Sequence, residues 1–175
     1  MRPLLILDLD ETLIYASEAP LDRPCDFMAG PFFAYERPAL RSFLAAMREH
    51  FELAVWTSSS APYAALAVAA IFDSPPAFVW ARERCTWRYF PESRDGEWTK
   101  NLSKLKRHGY RLERVLMVDD TPSKLAKHYG NLVRVAPYFG ASDDRELPAL
   151  AAYLPALAAA GNVRRIEKRG WRTSV

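Results

Sequence analysis

The stretch LLILDLDETL, residues 4–13, runs from four apolar residues straight into Asp8, and Asp10 follows two positions later. The apolar run PLLIL at residues 3–7 predicts a short buried strand. Side chains two positions apart on an extended backbone point the same way, so the two carboxylates are expected to lie together where the strand ends. One interpretation is an ordinary turn, in which aspartate is common. The other is a metal-dependent catalytic pair, and the remaining sequence has to decide between them.

Apolar strands alternate with helices along the rest of the chain. Further strands are predicted at residues 52–57, 77–81, 114–118 and 131–136, with one more strand and a turn around Asp95-Gly96. Helices are predicted at residues 38–51, 60–72, 100–109, 121–130 and 143–160, the last interrupted by Pro148 and Pro155. Ser60 and Thr121 are candidate N-caps. This alternation predicts an α/β fold with a parallel sheet covered by helices on both faces. Strands covered on both faces need not alternate polar and apolar residues, and these do not.

Three of the predicted strands end in polar side chains that can carry chemistry. These are Asp8 with Asp10, Thr57 with Ser58, and Asp119 with Asp120. In open parallel sheets, ligands bind beyond the carboxyl ends of the strands. Closely packed carboxylates repel and raise one another's pKa, and a divalent cation removes that repulsion. Four carboxylates at two strand ends suit a hard, oxygen-seeking ion, and Mg²⁺ fits if it keeps waters and a phosphate oxygen in its shell.

The composition is typical of one soluble globular domain. Of 175 residues, 50% are hydrophobic and 26% are charged. No apolar run reaches the ~20 residues that a membrane-spanning helix needs. The N-terminal apolar run meets Asp8 too early for a signal peptide. We therefore expect a cytoplasmic protein that makes no membrane contact, in which Cys25 and Cys85 are free thiols.

The basic charge of the chain is concentrated in residues 162–175, NVRRIEKRGWRTSV. This segment has five basic residues and one acidic residue, a charge of +4, so residues 1–161 sum to −1 of the total of +3. One interpretation is a solvated, partly disordered terminus. The alternative is an arm for an anionic partner such as a nucleic acid.

A series of motifs runs along the chain: LDLDETLI, ERPALRSFL, FELAVWTSSSAPYA, ARERCTW, KNLSKL, VLMVDDTPSKL and DDRELPALAAYL. Together they resemble the haloacid dehalogenase superfamily of aspartate-nucleophile phosphotransferases. Their order and spacing are most similar to the branch of small phosphatases that act on the C-terminal domain of RNA polymerase II. The resemblance implies a Rossmann-like, doubly wound parallel sheet without a large cap domain. It divides the chain into one domain over residues 1–161, with a flap at 13–36 and a small β insert at 73–99, and a basic tail at 162–175.

The resemblance also implies roles for individual residues. Asp8 is expected to be the nucleophile that forms an aspartyl-phosphate. Asp10 is expected to be the general acid for the leaving oxygen and then the base for the attacking water. Thr57 is expected to hydrogen-bond the phosphoryl oxygens, and Lys100 to neutralise charge on the phosphoryl group and on Asp8. Asn101 departs from the acidic residue that usually follows this lysine in the family.

The resemblance further implies a metal site. Mg²⁺ is expected to bind Asp8, the backbone carbonyl of Asp10, and Asp119 and Asp120, directly or through water. Taken alone, several of these residues have simpler interpretations. Asp119 and Asp120 can stabilise a helix N-terminus, and Thr57 can cap the turn that follows it. The composition also does not distinguish Lys100 from its neighbours Lys104 and Lys106.

The absence of a large cap domain favours an open site and a macromolecular substrate. The expected substrate is a phosphoserine or phosphothreonine on a protein or peptide. The alternatives are an end phosphatase for nucleic acids assisted by the basic tail, a phosphatase for small phosphate esters, and a non-catalytic binding module that keeps the fold. The aromatic residues of the insert form either a small satellite core or one wall of the substrate groove. They are Trp80, Trp87, Tyr89, Phe90 and Trp98.

Overall fold

The central element of the fold is a parallel sheet. The computed structural model describes residues 2–90 and 95–174. Its five strands lie in the order β10-β9-β1-β5-β6 and all pair in parallel. They are β1 (Leu4–Leu7), β5 (Glu52–Trp56), β6 (Val79–Trp80), β9 (Val115–Asp119) and β10 (Leu132–Arg134). The α/β fold class with a parallel sheet is confirmed.

Both faces of the sheet are covered, as the fold class requires. Alternate residues of β1 belong to different cores. Leu5 and Leu7 face a core that includes the three α-helices. Leu4 and Ile6 face a second, smaller core. This division follows from the period of two along an extended strand. The helices are α1 (Leu40–His50), α2 (Ala61–Ile71) and α3 (Glu146–Ala158).

Two predicted helices take a tighter form than an α-helix. Leu102–His108 and Pro122–Asn131 are 3₁₀ segments, and the second contains non-helical backbone angles at two positions. Their buried residues are spaced by three, Leu102 with Leu105 in the first and Leu125, His128 and Asn131 in the second. Because a 3₁₀ helix has three residues per turn, this spacing places Leu102 and Leu105 on one side of the first segment. The second segment is two short helical pieces joined across a kink, with the non-helical angles at Leu125 and His128.

Other local predictions need correction. α3 is continuous, so the predicted interruptions at Pro148 and Pro155 are wrong. Pro148 lies in the first turn, where a backbone N–H has no helical partner to lose. Ser60 and Thr121 stand at cap positions, but neither side chain makes a capping hydrogen bond. Asp95 and Gly96, around which a turn is predicted, belong to a strand, and the residues directly before them, 91–94, lie outside the described residues.

The segments between the core strands form two smaller sheets. The first is a three-stranded antiparallel sheet of β2 (Ile14–Ser17), β3 (Phe27–Ala29) and β4 (Phe32–Glu36). The second is a hairpin of β7 (Thr86–Phe90) and β8 (Asp95–Thr99). No large cap domain is evident among the residues that the structure describes.

The C-terminal segment packs against the domain instead of extending into solvent. Val163 is fully buried and Trp171 is 2% exposed, both in the larger core. The Trp171 ring stacks on Tyr153 at 5.5 Å between centroids, and its Nε1 donates to the backbone oxygen of Arg134 at 2.7 Å. The interpretation as a solvated terminus is therefore wrong. In the described part of the chain, no helix has the length and apolar character needed to cross a membrane.

A buried ion pair ties the small antiparallel sheet to the loop before α3. The guanidinium of Arg37 makes two bonds of 2.8 Å to the carboxylate of Asp144 and a third, of 3.0 Å, to the backbone oxygen of Thr12. The Arg37 side chain is fully buried, whereas that of Asp144 is 16% exposed. Burial alone would raise the pKa of Asp144, but the bonds from Arg37 outweigh it and hold that pKa below its ordinary value of 3.8.

This pair predicts an acid-sensitive contribution to stability. A carboxyl group whose pKa is lower in the folded state stabilises the fold above its unfolded pKa, and the stabilisation is lost as the pH falls through the folded pKa. We expect the difference in unfolding free energy between the unmodified chain and Asp144→Ala to be largest near neutral pH. It should shrink between about pH 5 and about pH 2. Urea unfolding across that range measures it, and a difference that does not change with pH would contradict the prediction.

Candidate active site

The register of the central sheet brings the predicted site residues to one edge. Leu7 of β1 pairs with Val118 of β9 on one side and with Val55 of β5 on the other. The backbone N–H of Asp8 continues the ladder by donating to the Val118 oxygen at 3.0 Å. The residues at the carboxyl ends of these three strands therefore lie next to one another at one edge of the sheet. Asp8, Thr57 and Asp119 are all at most 2% exposed.

Lys100 links two of these strand ends. Its ammonium group lies 2.8 Å from Asp8 Oδ2 and 2.7 Å from Asp119 Oδ2, and the side chain is fully buried. Lys104 instead donates to the backbone oxygen of Arg84 at 2.6 Å, and Lys106 is exposed. The structure thus separates Lys100 from the neighbouring lysines that composition left as alternatives.

The two carboxylates and the ammonium group shift one another's protonation. Burial would raise the pKa of Asp8, but Lys100 and a second lysine, Lys124, outweigh it and lower that pKa. Burial would lower the pKa of Lys100, but Asp119 and Asp8 outweigh it and raise that pKa. Asp8 is therefore held ionised, which is the form that a nucleophilic carboxylate requires.

Asp8, Asp119 and Asp120 form a compact group of acidic side chains. Each offers a carboxylate oxygen, and these atoms lie within 4.8 Å of one another. Burial raises the pKa of Asp119 to about 7, partly offset by Lys100. Asp120 accepts hydrogen bonds from the hydroxyls of Thr121 at 2.9 Å and Thr12 at 3.4 Å. The three acidic side chains offer an all-oxygen donor set, which fits a hard divalent cation. The residues present therefore fit a metal site.

The Asp10 side chain has a separate set of partners. One carboxylate oxygen accepts from Ser59 Oγ at 2.7 Å, and the other accepts from the hydroxyl of Tyr63. Burial raises the pKa of Asp10, and both hydrogen bonds act against that shift. Asp10 is absent from the compact acidic group, so any metal contact from it falls to its backbone, as the family resemblance implies. A raised pKa favours the protonated form of the carboxyl group, which is the form that a general acid requires.

Sequence reasoning missed four side chains around these acids. They are Thr12, Ser59, Tyr63 and Lys124. Lys124 Nζ lies 3.5 Å from Asp8 Oδ2, and its side chain is 19% exposed. A signal for Ser59 was present in the serine run after the second strand. No local pattern marked Tyr63 in its alanine-rich helix, or Lys124 among other surface-like lysines.

Thr57 is positioned by the backbone on both sides. Its N–H donates to the Trp80 oxygen at 2.9 Å, and its hydroxyl oxygen accepts from the N–H of Ser59 at 3.0 Å. The hydroxyl accepts in that contact, so its own proton stays available for an acceptor such as a phosphoryl oxygen. The left-handed backbone at Glu11, with φ of 60°, turns the chain directly after Asp10.

Two clefts adjoin the site, and they have different lining residues. One, of about 220 Å³, is lined by Trp87, Lys100 and Lys124 among others. The other, of about 320 Å³, is lined by Asp10 and Tyr63 among others. Of the aromatic residues of the insert, Trp80 packs in the smaller core with Trp98 against it. Trp87 lines the first of these clefts, and its ring lies 5.0 Å from that of Trp98. Tyr89 is 56% exposed and lines neither cleft, and the side chain of Phe90 lies outside the described residues.

Comparison with solved structures shows the same fold. The chain is similar to Fcp1, an essential RNA polymerase II CTD phosphatase, with a TM-score of 0.59 and 20% identity, over 99% of this chain and 48% of that one.

Comparison of sequences gives several relatives. A Caenorhabditis elegans protein named CTD small phosphatase-like protein 1 is 34% identical over 155 residues, 83% of this chain and 30% of that protein. A Dictyostelium discoideum protein named Probable C-terminal domain small phosphatase is 33% identical over 171 residues, 91% of this chain and 52% of that protein. The human Carboxy-terminal domain RNA polymerase II polypeptide A small phosphatase 1 is 32% identical over 168 residues, 91% and 60% respectively. The chain thus spans between 30% and 60% of these relatives.

The match to a protein family covers most of the chain. The family model described as NLI interacting factor-like phosphatase matches residues 3–164, a range that includes every strand of the central sheet and all the acidic residues of the site. The resemblance drawn from the motifs is confirmed, and the chain belongs to the NLI interacting factor-like phosphatase family, within the haloacid dehalogenase superfamily.

Proposed function

We propose that this chain is a metal-dependent phosphatase that hydrolyses phosphate monoesters through an aspartyl-phosphate on Asp8. The observation that carries the proposal is the buried Lys100 ammonium group, which bridges Asp8 and Asp119 at 2.8 and 2.7 Å. Phosphoryl transfer depends mostly on positioning and on charge neutralisation. Asp8 is a buried carboxylate that is held ionised, so it supplies a positioned nucleophile. Lys100 and Lys124 beside it supply the positive charge that neutralises an incoming phosphate.

The reaction proceeds in two displacements at phosphorus. A carboxylate oxygen of Asp8 forms a bond to phosphorus as the bond to the ester oxygen breaks, and the Asp10 carboxyl group gives its proton to that leaving oxygen. Asp10, now ionised, takes a proton from water as the water oxygen attacks phosphorus. The bond from phosphorus to Asp8 then breaks, which releases phosphate and restores both side chains. Ser59 and Tyr63 orient Asp10 throughout, and the Thr57 hydroxyl donates to a phosphoryl oxygen.

The residues that would hold Mg²⁺ are Asp8, the backbone carbonyl of Asp10, Asp119 and Asp120. When bound, the ion supplies charge neutralisation and orientation of the phosphoryl group. The support for a hard cation is the all-oxygen donor set, since no cysteine or histidine belongs to the acidic group among the described residues. Lys100 and Lys124 supply the fixed part of the positive charge, and both remain protonated because the carboxylates beside them raise their pKa.

Removal of the metal is expected to abolish turnover and to leave the fold intact. We expect chelation to lower the rate of aryl phosphate hydrolysis by roughly a hundredfold or more, and added Mg²⁺ to restore it. Ca²⁺ at the same concentration should restore much less, because it prefers longer bonds and more ligands. Circular dichroism before and after chelation is the control for folding. Full activity in excess chelator would contradict the metal requirement.

The favoured substrate class is a phosphoserine or phosphothreonine on a protein. The human relative is named as a small phosphatase for the carboxy-terminal domain of an RNA polymerase II polypeptide, and the Dictyostelium discoideum relative as a probable C-terminal domain small phosphatase. The two clefts beside the site open to solvent, and no large cap domain covers them in the described part of the chain. An extended polypeptide can approach such a site, whereas enzymes for small esters usually need a closed one.

A side-by-side comparison of substrates tests this assignment. Phosphoserine peptides, end-phosphorylated oligonucleotides and small sugar phosphates are offered at equal concentration with Mg²⁺, and released phosphate is measured. We expect the highest kcat/KM for a phosphopeptide. A higher value for the oligonucleotide or the sugar phosphate would overturn the substrate class while it supports the phosphatase chemistry. No release from any substrate or from an aryl phosphate would favour a non-catalytic binding module.

A further inference from the structure

A second concave surface lies between the edge strand β10 and the C-terminal segment. It encloses about 540 Å³ and receives residues from β10, from the segment Pro122–Asn131 and from residues 164–172. We call it the basic groove. Pro122, Tyr129 and Gly130 line it, whereas Lys124 and Lys127 of the same segment line the cleft at Lys100. The groove and the site therefore share one connecting element but no lining residue.

The lining of the basic groove is strongly cationic. Six of its side chains are basic and one, Glu167, is acidic. The basic residues are Arg134, Arg164, Arg165, Lys168, Arg169 and Arg172. The rest of the chain is close to neutral, since residues 1–161 carry a formal charge of −1. The positive potential of this protein is therefore concentrated in and around the groove.

Half of these cations are already engaged within the chain. Arg169 pairs with Glu167 at 2.7 Å, and Arg172 pairs with Glu146. Lys168 is buried and donates from its ammonium group to two backbone oxygens, at 2.6 and 2.7 Å. Among the described residues, these contacts engage Glu167 and Glu146, the two acids that pair with cations of the groove.

Three arginines remain available. Arg134, Arg164 and Arg165 are exposed, and none of them forms a salt bridge with an acidic side chain in the described part of the chain. Exposed arginines on a flexible tail would carry little meaning, but this backbone is fixed. Trp171 is buried with its indole N–H bonded to the Arg134 oxygen, and a Cβ on Gly130 would lie only 3.3 Å from the Arg164 oxygen. The backbone that carries these arginines is thus packed around one cavity.

We infer that the basic groove binds an acidic segment of a polypeptide, with its carboxylates or phosphates paired to Arg134, Arg164 and Arg165. Guanidinium groups match the planar geometry of carboxylates and bind phosphates by two parallel bonds. Apolar side chains also line the groove, including Leu132 and Ile166, and these suit the non-charged residues of an extended peptide.

A single-stranded nucleic acid fits the groove less well. Such ligands bind through aromatic side chains on which successive bases stack, in addition to cations. The groove has two aromatic residues, Tyr129 and Trp171. Trp171 is 2% exposed and its ring is already stacked on Tyr153, which leaves Tyr129 alone at 78% exposure. One exposed ring is not a stacking platform.

The groove gives the proposed phosphatase a way to hold its substrate at a distance from the reaction. Pro122 lines the groove and stands two positions after Asp120. A polypeptide seated in the groove would therefore pass close to the carboxyl edge of the sheet. The identity of the bound peptide as a substrate rests on the proposed function, whereas the binding of an acidic peptide does not.

The test is a binding measurement that does not depend on catalysis. A fluorescent peptide rich in glutamate and free of phosphate is titrated with the full chain, and anisotropy is recorded at low and at physiological salt. We expect Arg165→Glu and Arg134→Glu each to weaken binding roughly tenfold. Arg107→Glu is the matched control, because Arg107 is exposed and lies outside the groove, and it should change binding less than about twofold. Thermal unfolding of each variant confirms that it is folded.

Each outcome decides the proposal. Loss of binding in the two groove variants, with the control unchanged, supports it. Equal losses in all three variants, or no binding by the unmodified chain, would overturn it. Tighter binding of an oligothymidylate of equal charge, lost in the same variants, would also overturn it in favour of a nucleic acid. Hydrolysis of an aryl phosphate by the unmodified chain reports the proposed phosphatase separately, so either proposal can fail while the other stands.

Discussion

Replacement of Asp8 by asparagine is expected to lower the rate of aryl phosphate hydrolysis by roughly a thousandfold or more. The amide has nearly the same shape as the carboxylate but cannot attack phosphorus. The substitution also removes one of the two carboxylates that contact the Lys100 ammonium group, which lies 2.8 Å from Asp8 Oδ2 and 2.7 Å from Asp119 Oδ2. The measurement is released aryl alcohol at saturating substrate. A second measurement is the covalent phosphoenzyme, trapped in acid from a labelled substrate, which should be absent from this variant.

The control for Asp8→Asn is the same substitution at an exposed aspartate. Asp73 is 89% exposed and lies between the end of α2 and the start of β6, at the amino edge of the parallel sheet, so Asp73→Asn should keep full activity. An Asp8→Asn variant that turns over at the unmodified rate would eliminate Asp8 as the nucleophile. A variant that is inactive but still becomes labelled would move the covalent step to another carboxylate, and Asp119 would be the next residue to test.

Replacement of Asp144 by alanine is expected to lower the free energy of unfolding by about 3 kcal/mol. The reason lies in the partner that remains. Arg37 is fully buried and loses both of its 2.8 Å bonds to the carboxylate, so a buried guanidinium is left with one backbone oxygen. Removal of one member of a buried pair costs more than the pair contributes, because the uncompensated charge cannot reach water. Urea unfolding at neutral pH measures the effect.

Two further variants separate charge burial from ordinary surface effects. Asp73→Ala breaks a 3.5 Å contact with Arg41, in which the Arg41 side chain is 46% exposed and the Asp73 side chain is 89% exposed. The free energy of unfolding should change by less than about 1 kcal/mol. The double variant Arg37→Met with Asp144→Ala should be more stable than Asp144→Ala alone, because it removes the unpaired charge. A double variant that is less stable by the full sum of both single effects would contradict this explanation.

Local patterns in the sequence were sufficient for the fold class and for the acidic residues of the candidate site. Apolar runs that end in Asp8 and Asp119 predicted two strands, and the alternation with helices predicted that the strands are parallel. The carboxyl ends of parallel strands lie at one edge of a sheet, so the parallel topology alone predicts that Asp8 and Asp119 lie close together. Local patterns did less well where burial decided the geometry. Pro122–Asn131 is a 3₁₀ segment with buried residues spaced by three, and the two prolines do not interrupt α3.

Only the tertiary structure could decide which charged side chains meet. Composition does not distinguish Lys100 from Lys104 or Lys106. The family resemblance favoured Lys100, and the structure shows it buried between Asp8 and Asp119. Lys124 approaches Asp8 across a sequence separation of 116 residues. A solvated terminus was one interpretation of the basic tail from its sequence, but Trp171 of this tail is buried in the larger core. Strand and helix formation depends on neighbours within a few positions, whereas a pKa, an ion pair or a binding groove depends on groups that the chain brings together only when the sheet is closed.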